Sequence, residues 1–464
     1  MAIQEKEKTQ TIAENLSKSS LNRIQTLLDI LVELANKEDT SLNLLEKFRT
    51  LYKEIPAQEK PYLFKLIVSN LEVRKKDIEE ELANLLKIND REQLKWTSQL
   101  SSLRQKLESP RIEAFRRFIN LSGGLKFLLD LRADVLALQR YFPDNLGPLD
   151  EDIAHLFNSW FQRGFLFLRE ITLDSSYRQI AFLKEHEMVH PLASLEQMGN
   201  RLGRDRRCFA LYHRAMPEEP VIFIEVALTH GIVTSIHEII RDQYSTHELK
   251  GNPNTAIFYS INNTQNGLAG LGLGKILIFQ VVEALKRDRP EIKTFATLSP
   301  IPGFWGRYLK PILEGNDAPF SMKRKKLELI FSDKTREELL RRYTELSGKK
   351  PEDFFSTLIS ILSDYKWIED PAYCRLLKYP MINLTHFYIT KEKDKRGLPL
   401  NPVANFHMGN GASVSYRYIN FAANRSERGM EESCGMMVNY LYSRTWLQKI
   451  QATIKSLLPW KSSS

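Results

Sequence analysis

The chain has 464 residues and a net charge of +9, from 66 Lys and Arg against 57 Asp and Glu, and 42% of its residues are hydrophobic. This length predicts two or more domains with a large core, and the composition excludes a disordered or fibrous chain. No apolar run reaches membrane-span length, and the interspersed charges include no long basic block. We therefore expect neither a membrane nor a nucleic-acid partner, and the positive charge suits a small anionic ligand.

The three cysteines, Cys208, Cys374 and Cys434, lie far apart and form no CxxC pair. This pattern predicts a reduced, cytoplasmic setting without a disulfide framework. The first 16 residues mix acidic and basic side chains, unlike a secretory signal or an Arg-rich transit peptide, which agrees with that location. Cys434 could be a nucleophile, but no activating residues surround it, so we interpret it as a packed cysteine.

From about residue 20 to 160, apolar residues recur at spacings of three and four, which predicts a helical bundle, the domain 1–160. We interpret these stripes as core packing, although the bundle could also mediate oligomerisation. Pro143, Gly147 and Pro148 predict a loop over Tyr141–Leu149, and aromatic residues predict another helix over 160–167. The stripes lie at 21–34, 71–86, 100–107 and 112–119.

After His190–Pro191 the pattern changes to a mixture of strands and helices, within a second domain, 161–464. The first two strands are predicted to form a hairpin whose turn is Met216–Pro220, and a short helix is expected at 235–243. A helical insertion is expected around 324–380. The predicted fold class is therefore α+β, a helical bundle followed by a mixed α/β domain. The predicted strands are 208–213, 221–228, 255–262, 294–300, 382–390 and 412–420.

A glycine-rich loop follows the third predicted strand and precedes a helix. Gly267, Gly270, Gly272 and Gly274 allow the backbone to approach an anion, and the helix N-terminus adds positive charge, with Lys275 in its first turn. The spacing fits neither a Walker A motif nor the dinucleotide-binding G-x-G-x-x-G motif. The loop is either a phosphate cradle, such as acyltransferases use for the pyrophosphate of coenzyme A, or a tight turn with close helix packing.

Two further polar residues could act on a ligand. Ser299 ends the strand that follows the glycine-loop helix, where it could hydrogen-bond a ligand or cap a turn. His407 lies in NPVANFHMGNGA (401–412), whose Gly and Asn residues predict a tight turn that presents the imidazole. An imidazole can transfer a proton near neutral pH, although a loop histidine without a catalytic role has the same local pattern. No Cys or His spacing indicates a metal site.

Five separated blocks carry a more specific signal. They are HPLASLEQMGNRLGRDRRCFALYH (190–213), FYSINNTQNGLAG (258–270), SPIPGF (299–304), NPVANFHMGNGA (401–412) and ERGMEESCGMMVNYLY (427–442). In this order they resemble the malonyl-CoA decarboxylase family, over roughly residues 100 to 442. The resemblance implies a helical domain followed by a GNAT-like (acetyltransferase-like) catalytic domain. It also implies conversion of malonyl-CoA to acetyl-CoA and CO₂ without a metal or organic cofactor, coenzyme A being part of the substrate.

The resemblance also assigns roles to residues. It implies that Ser299 and His407 form the catalytic pair, with His407 as the proton donor. Gly272 stands where family members often carry an acidic residue, so the side-chain contact at that position does not carry over, whereas the backbone contacts of the loop do. Family membership would further imply a homo-oligomer. The residues implied to bind the coenzyme A pyrophosphate are Ala269, Gly270, Leu271, Gly272, Leu273, Gly274 and Lys275.

Two other functions fit the local patterns. A CoA-dependent acyltransferase on the same fold would carry a similar glycine loop, and a non-catalytic acyl-CoA-binding protein could be built around the helical bundle. The sequence leaves open the choice between malonyl-CoA and methylmalonyl-CoA. It also leaves open whether the cellular role is control of fatty-acid metabolism or breakdown of malonate.

Overall fold

The computed structural model describes residues 16–36, 41–88, 93–139, 141–203, 205–240, 252–316 and 319–443. The expectations about targeting signals concern the chain ends and lie outside these residues, apart from residue 16. In the part of the chain that is described, no helix is both long and apolar enough to cross a membrane. The chain divides into two compact units. The first comprises the chain up to Phe167, Leu211–Ile222 and Asn263–Leu273, and the second comprises Leu168–Ala210, Phe223–Asn262 and the chain from Gly274 onwards.

Helices dominate the first unit, as the apolar spacing predicts. In α1 the buried residues Ile24, Leu27 and Leu31 form one face of the helix, and Phe48, Phe118 and other aromatic rings pack in the same core. The helices are α1 Lys18–Asn36, α2 Leu42–Lys53, α3 Lys60–Asn70, α4 Lys75–Leu86, α5 Gln93–Leu107, α6 Pro110–Arg116, α7 Gly124–Gln139 and α8 Pro143–Trp160, with a 3₁₀ turn at Arg117–Asn120.

Two sequence predictions at the end of this region are wrong. The predicted loop at Tyr141–Leu149 is largely helical, because α8 begins at Pro143. Proline fits the first turn of a helix, where its missing N–H has no intrahelical acceptor. The predicted helix over 160–167 is also wrong, since α8 ends at Trp160 and a strand begins at Leu166.

The sequence predicts that the apolar stripes of α4 and α5 pack in the core, but most of their leucines do not. The two helices pack on each other and bury Leu85 and Leu103. Leu82, Leu86 and Leu94 are 42%, 80% and 89% exposed. A helix that packs against a single neighbour buries only one narrow face, so the remaining leucines stay at the surface.

Two sheets follow. The larger has the order β1-β2-β3-β4-β5-β10-β7, and the smaller has the order β6-β9-β8. Strands β4 and β5 are parallel, and β10 is antiparallel to both β5 and β7. The strands are β1 Leu166–Ile171, β2 Arg206–His213, β3 Met216–Thr229, β4 Thr255–Asn263, β5 Thr294–Thr297, β6 Ser299–Pro300, β7 Ala412–Ser413, β8 Ile419–Asn420, β9 Met437–Val438 and β10 Leu441–Tyr442.

The first three predicted strands are confirmed, but the hairpin turn lies at residues 214–215 instead of Met216–Pro220, which belongs to β3. The fourth predicted strand, 294–300, is divided at Leu298 into β5 and β6, which belong to different sheets. The predicted strand over 412–420 is present only at its two ends, on either side of a 3₁₀ turn at Tyr416–Tyr418. In place of the predicted helix at 235–243 there is a 3₁₀ turn at Ile236–Glu238, and residues 241–243 lie outside the described range.

The remaining helices cover the expected insertion and extend it. They are α9 Tyr177–His186, α10 Leu195–Asn200, α11 Leu273–Asp288, α12 Lys310–Glu314, α13 Arg324–Glu328, α14 Asp333–Ser347, α15 Phe354–Ser363, α16 Pro371–Thr390, α17 Pro402–Gly409 and α18 Glu427–Ser433, with a π-helical turn at Phe304–Leu309.

The predicted strand at 382–390 is wrong, because it belongs to α16. Leu377, Met381, Leu384 and Tyr388 are all buried at helical spacing, and this burial outweighs the local β-branched composition. The α+β class itself is confirmed.

Candidate active site

His407 lies on helix α17 and not in the tight turn that the sequence predicts. The Oδ1 atom of Asn401 caps this helix by accepting two backbone N–H groups at 3.0 Å, and Pro402 occupies the first turn. Gly411, with a φ of +83°, provides the expected left-handed backbone only after the helix has ended. The prediction failed because Asn-Pro can begin a helix as readily as a turn.

The structure brings Ser299 and His407 together across 108 residues of sequence. Ser299 Oγ lies 3.1 Å from His407 Nε2, and it donates to Thr297 Oγ1 at 2.9 Å. Ser299 and His407 are each only 5% exposed. Strand β5 and the start of β6 place Thr297 and Ser299 on one face, because alternate residues of an extended chain point the same way.

Tyr442 contacts the other side of the imidazole. Its hydroxyl lies 3.0 Å from His407 Nδ1. Because the Ser299 hydroxyl donates to Thr297, the imidazole proton sits on Nε2 and is donated to Ser299, and Nδ1 accepts from Tyr442. Two hydroxyl groups therefore hold the neutral imidazole in a single tautomer.

Tyr440 stacks on His407, with ring centroids 4.8 Å apart and planes at 27°. Its hydroxyl is buried and has no hydrogen-bond partner among the described residues. A buried hydroxyl without a partner carries an unsatisfied desolvation cost, so such a group in a native fold needs an explanation. Because Tyr440 lies beside a catalytic candidate, a ligand atom could supply that partner.

Burial controls the charge of this site. It lowers the pKa of His407 to about 3, because the imidazolium form loses its hydration. Burial also raises the pKa of Tyr440 and of Tyr442. At neutral pH the site therefore presents an uncharged imidazole and two protonated phenols in a desolvated environment.

The backbone beneath the pair is held by Asn439, which is fully buried. Its Nδ2 donates to Thr297 O at 2.6 Å and to Val233 O at 3.0 Å, and its Oδ1 accepts from Asn420 Nδ2 at 2.7 Å. This network joins β5 to the segment that carries Tyr440, so the groups around His407 share one rigid support.

The glycine-rich loop joins β4 to α11, as predicted. Gly270 and Gly272 are exposed and have φ values of +82° and +69°, a conformation that glycine adopts without strain. In the part of the chain that is described, no acceptor is bound by either N–H group. Free N–H groups beside a helix N-terminus favour an anion, and Lys275 is exposed in the first turn.

Gly274 connects this helix N-terminus to the His407 helix. A Cβ atom at Gly274 would lie 2.2 Å from Phe406 Cζ, so glycine allows α11 to begin against the residue that precedes His407. Gly274 and Lys275 belong to the same compact unit as Ser299 and His407, whereas Ala269–Leu273 belong to the other.

Sequence reasoning missed Thr297, Tyr440 and Tyr442. The signal was the alternation in NYLY (439–442), which places two tyrosines on one face of an extended segment. Cys434 is buried, and burial raises the pKa of its thiol, which agrees with a packed cysteine. Across the described ranges, no group of three His, Cys, Asp or Glu side chains could hold a metal ion.

Two family models match the chain. One describes the malonyl-CoA decarboxylase C-terminal domain and matches residues 164–454, and the other describes the malonyl-CoA decarboxylase N-terminal domain and matches residues 71–161.

Curated relatives include the mitochondrial malonyl-CoA decarboxylase of Anser anser anser, 36% identical over 339 residues, which are 72% of this chain and 64% of that protein. The corresponding protein of Rattus norvegicus is 35% identical over 332 residues, which are 71% of this chain and 64% of that protein. The chain thus spans less than two thirds of the length of these relatives.

Solved structures agree with these relatives. The crystal structure of malonyl-CoA decarboxylase from Rhodopseudomonas palustris superimposes with a TM-score of 0.74 at 29% identity, covering 93% of this chain and 96% of that chain. The crystal structure of malonyl-CoA decarboxylase from Agrobacterium vitis gives a TM-score of 0.74 at 29% identity, covering 93% and 95%.

Proposed function

The chain belongs to the malonyl-CoA decarboxylase family, and we propose that it converts malonyl-CoA to acetyl-CoA and CO₂. The observation that carries this proposal is the buried Ser299–His407 pair, whose His407 helix packs beside the start of α11. Loss of CO₂ from a malonyl thioester leaves an enolate. The site must therefore stabilise negative charge on the thioester oxygen and deliver one proton to carbon.

His407 is the proposed proton donor. Its pKa of about 3 keeps the imidazole neutral at pH 7 before substrate binds. The malonyl carboxylate brings a negative charge beside the ring, and a nearby opposite charge raises the pKa of a histidine. Substrate binding would then take up one proton, which Nε2 passes to the enolate carbon, returning His407 to its neutral form. The reaction balances as malonyl-CoA plus H⁺ giving acetyl-CoA plus CO₂.

Ser299 and Tyr440 are the proposed hydrogen-bond donors to the substrate, the Ser299 hydroxyl turning its proton from Thr297 Oγ1 to the substrate on binding. The Ser299 hydroxyl adjoins His407 Nε2, so it can orient the thioester or the carboxylate that reaches the imidazole. The unpartnered Tyr440 hydroxyl can donate to the developing oxyanion. Aromatic rings of Phe406 and Tyr442 flank the imidazole, and apolar surroundings favour departure of the carboxylate as neutral CO₂.

We propose that Ala269–Lys275 binds the pyrophosphate of the coenzyme A part of the substrate. The free N–H groups of Gly270 and Gly272, the N-terminus of α11 and the charge of Lys275 support this role. Gly272 has no side chain to contribute, so recognition there uses the backbone. The proposed reaction uses no organic cofactor and no metal ion.

One assay separates this proposal from its alternatives. Purified protein is incubated with malonyl-CoA and EDTA, without an acyl acceptor. A decarboxylase yields acetyl-CoA and CO₂ in equal amounts. A CoA-dependent acyltransferase turns over only when an acceptor is added, and a non-catalytic acyl-CoA-binding protein binds malonyl-CoA without consuming it. Parallel reactions with methylmalonyl-CoA measure the selectivity between the two acids.

Replacing Tyr442 with phenylalanine removes the hydroxyl that holds the tautomer of His407. We expect kcat to fall by about tenfold, equivalent to one lost hydrogen bond, with KM changed less than threefold. Tyr52→Phe is the matched control, because the Tyr52 hydroxyl donates to Asp134 at 2.7 Å within the helical unit. Equal kcat values for Y442F and the wild type would exclude a positioning role for Tyr442.

We propose that the helical region, as domain 1–160, mediates homo-oligomerisation through α4 and α5. Leu86 and Leu94 are the most exposed leucines of this pair, and a second copy of the chain would cover them. Sedimentation should give a multiple of 53.9 kDa for the wild type and a smaller assembly for Leu86→Lys/Leu94→Lys. Leu329→Lys is the control, since Leu329 is 82% exposed in the other unit. A wild-type monomer would contradict the proposal.

We propose a cytoplasmic location, in a reducing compartment. The cysteines are unpaired, with Cys208 and Cys434 buried, which supports reduced thiols. The curated relatives carry the word mitochondrial in their names, so cell fractionation that finds the protein in an organelle would overturn this assignment.

A further inference from the structure

Arg132 reaches the glycine-rich loop from helix α7. Its Nη1 donates to Gly267 O at 2.6 Å and to Ala269 O at 3.1 Å, and its Nε donates to Asp150 Oδ1 at 2.7 Å. The Arg132 side chain is only 4% exposed, and all four residues belong to the first compact unit. A buried guanidinium therefore binds the loop by its carbonyl oxygens.

These bonds fix the direction in which the loop N–H groups point. The carbonyl of Ala269 and the N–H of Gly270 belong to one planar trans peptide, so they point in opposite directions. Because Arg132 holds the oxygen of Ala269, the N–H of Gly270 points away from Arg132. A Cβ atom at Gly270 would meet nothing within 4 Å, so the space beside this residue is open.

The same helix holds the loop at a second point. A Cβ atom at Gly267 would lie 2.1 Å from the backbone oxygen of Leu129, one turn before Arg132 on α7. Close backbone approach at Gly267 and the Arg132 contacts with Gly267 and Ala269 leave the loop little freedom to rotate its peptides. An anion site made of backbone N–H groups depends on such pre-organisation.

We propose that Arg132 is a positioning residue for recognition of the coenzyme A phosphates, with Asp150 orienting its guanidinium. This inference rests on the proposed role of the glycine-rich loop. Arg132 acts through the loop: it binds carbonyl oxygens on one side, so that the Gly270 N–H faces the phosphates on the other.

The test compares the binding of coenzyme A with that of pantetheine, which lacks the phosphates and the adenosine, by calorimetry on the full chain. In Arg132→Met we expect coenzyme A to bind about ten- to a hundredfold more weakly. This factor corresponds to the free energy of the charge-assisted hydrogen bond that holds the loop in its binding conformation. Pantetheine should bind within about twofold of the wild type, because its contacts do not involve the loop. For turnover, KM for malonyl-CoA should rise by a similar factor while kcat changes less than threefold.

Arg111→Met is the matched control. Arg111 is also 4% exposed, in the same unit, and it also binds one carboxylate and two backbone carbonyls, those of Asp152, Val68 and Leu71. Arg111→Met therefore reports how much stability is lost when a buried arginine is removed, while the glycine-rich loop keeps all its contacts. We expect coenzyme A and pantetheine affinities to stay at wild-type values in this variant.

Two further variants keep the proposal testable if Arg132→Met folds poorly. Arg132→Met/Asp150→Leu removes both charges, which avoids an unpaired buried carboxylate. Arg132→Lys keeps the charge but lacks the planar guanidinium group. It should therefore weaken coenzyme A binding less than Arg132→Met does, but still measurably. Thermal unfolding checks that each variant is folded before binding is measured.

Two outcomes overturn the inference: unchanged affinity for coenzyme A in the folded variants, or an equal loss for coenzyme A and pantetheine. Failure of the proposed function would look different. A wild type that binds coenzyme A more tightly than pantetheine but does not consume malonyl-CoA would reject the decarboxylase, and the comparison of variants would still decide the role of Arg132. A wild type with equal affinity for both ligands rejects the role of the loop and of Arg132 together.

Discussion

Replacing His407 with glutamine is expected to lower kcat for malonyl-CoA by about a hundredfold or more, the usual loss for a positioned acid or base. Glutamine retains hydrogen-bonding capacity but cannot donate a proton to the enolate carbon. KM should change only a few-fold, because the proposed phosphate contacts lie elsewhere. Release of acetyl-CoA at saturating malonyl-CoA measures the effect.

Ser299→Ala should lower kcat by about a hundredfold as well, since removal of one preorganised hydrogen-bond donor from an active site commonly costs this much. The double variant should be little slower than His407→Gln alone, because residues that act as a unit have non-additive effects. His213→Gln is the control: His213 is also buried, but it bonds Trp160 O and the N–H of Ala215. Activity within a few-fold of the wild type in either single variant would remove that residue from the mechanism.

The local elements around the glycine loop were predictable from sequence. Each has its own signal: β-rich composition for β4, glycines for the loop and a 3.6-residue apolar period for α11. The pairing of Ser299 with His407 has no such signal, because 108 residues separate them and only the folded sheet aligns them. The resemblance to a family named both residues, but it did not give their hydrogen-bonding partners.

The wrong predictions share a physical cause. Pro143 and Pro402 lie in stretches that the sequence predicts to be a loop and a turn, yet both stand in the first turn of a helix, where proline is tolerated. The stretch 382–390 has the composition of a strand, and tertiary burial of one helical face overrides it. Composition ranks local conformations, whereas packing against distant residues selects among them.

Arg132 illustrates the same limit within the candidate site. In the sequence it is one charged residue in an amphipathic helix, and a surface position would be the ordinary interpretation. Its contacts with Gly267 and Ala269 appear only once the loop after β4 lies against α7. The residues that touch a ligand can have a sequence motif, but those that hold the motif in place usually have none.

Replacing Gly267 with alanine is expected to lower the free energy of unfolding by about 3 kcal/mol or more, at the upper end of overpacking costs. The new Cβ would lie 2.1 Å from Leu129 O and 2.8 Å from Leu129 C. These are backbone atoms of a helix interior, so they cannot move aside as a flexible side chain could. Urea unfolding measures the change, with Gly164→Ala as control because its Cβ would meet nothing within 4 Å.

Gly270→Ala separates the two reasons why the loop needs glycine, which are the lack of space for a Cβ atom and the positive φ. Its Cβ would have open space, and only the φ of +82° opposes it, so we expect a loss of about 1 kcal/mol, the lower end of backbone strain costs. A Gly267→Ala protein as stable as the wild type would mean that the loop does not approach α7 this closely. The carbonyls of Gly267 and Ala269 would then lie out of reach of Arg132, and the proposed orientation of the Gly270 N–H would fail with them.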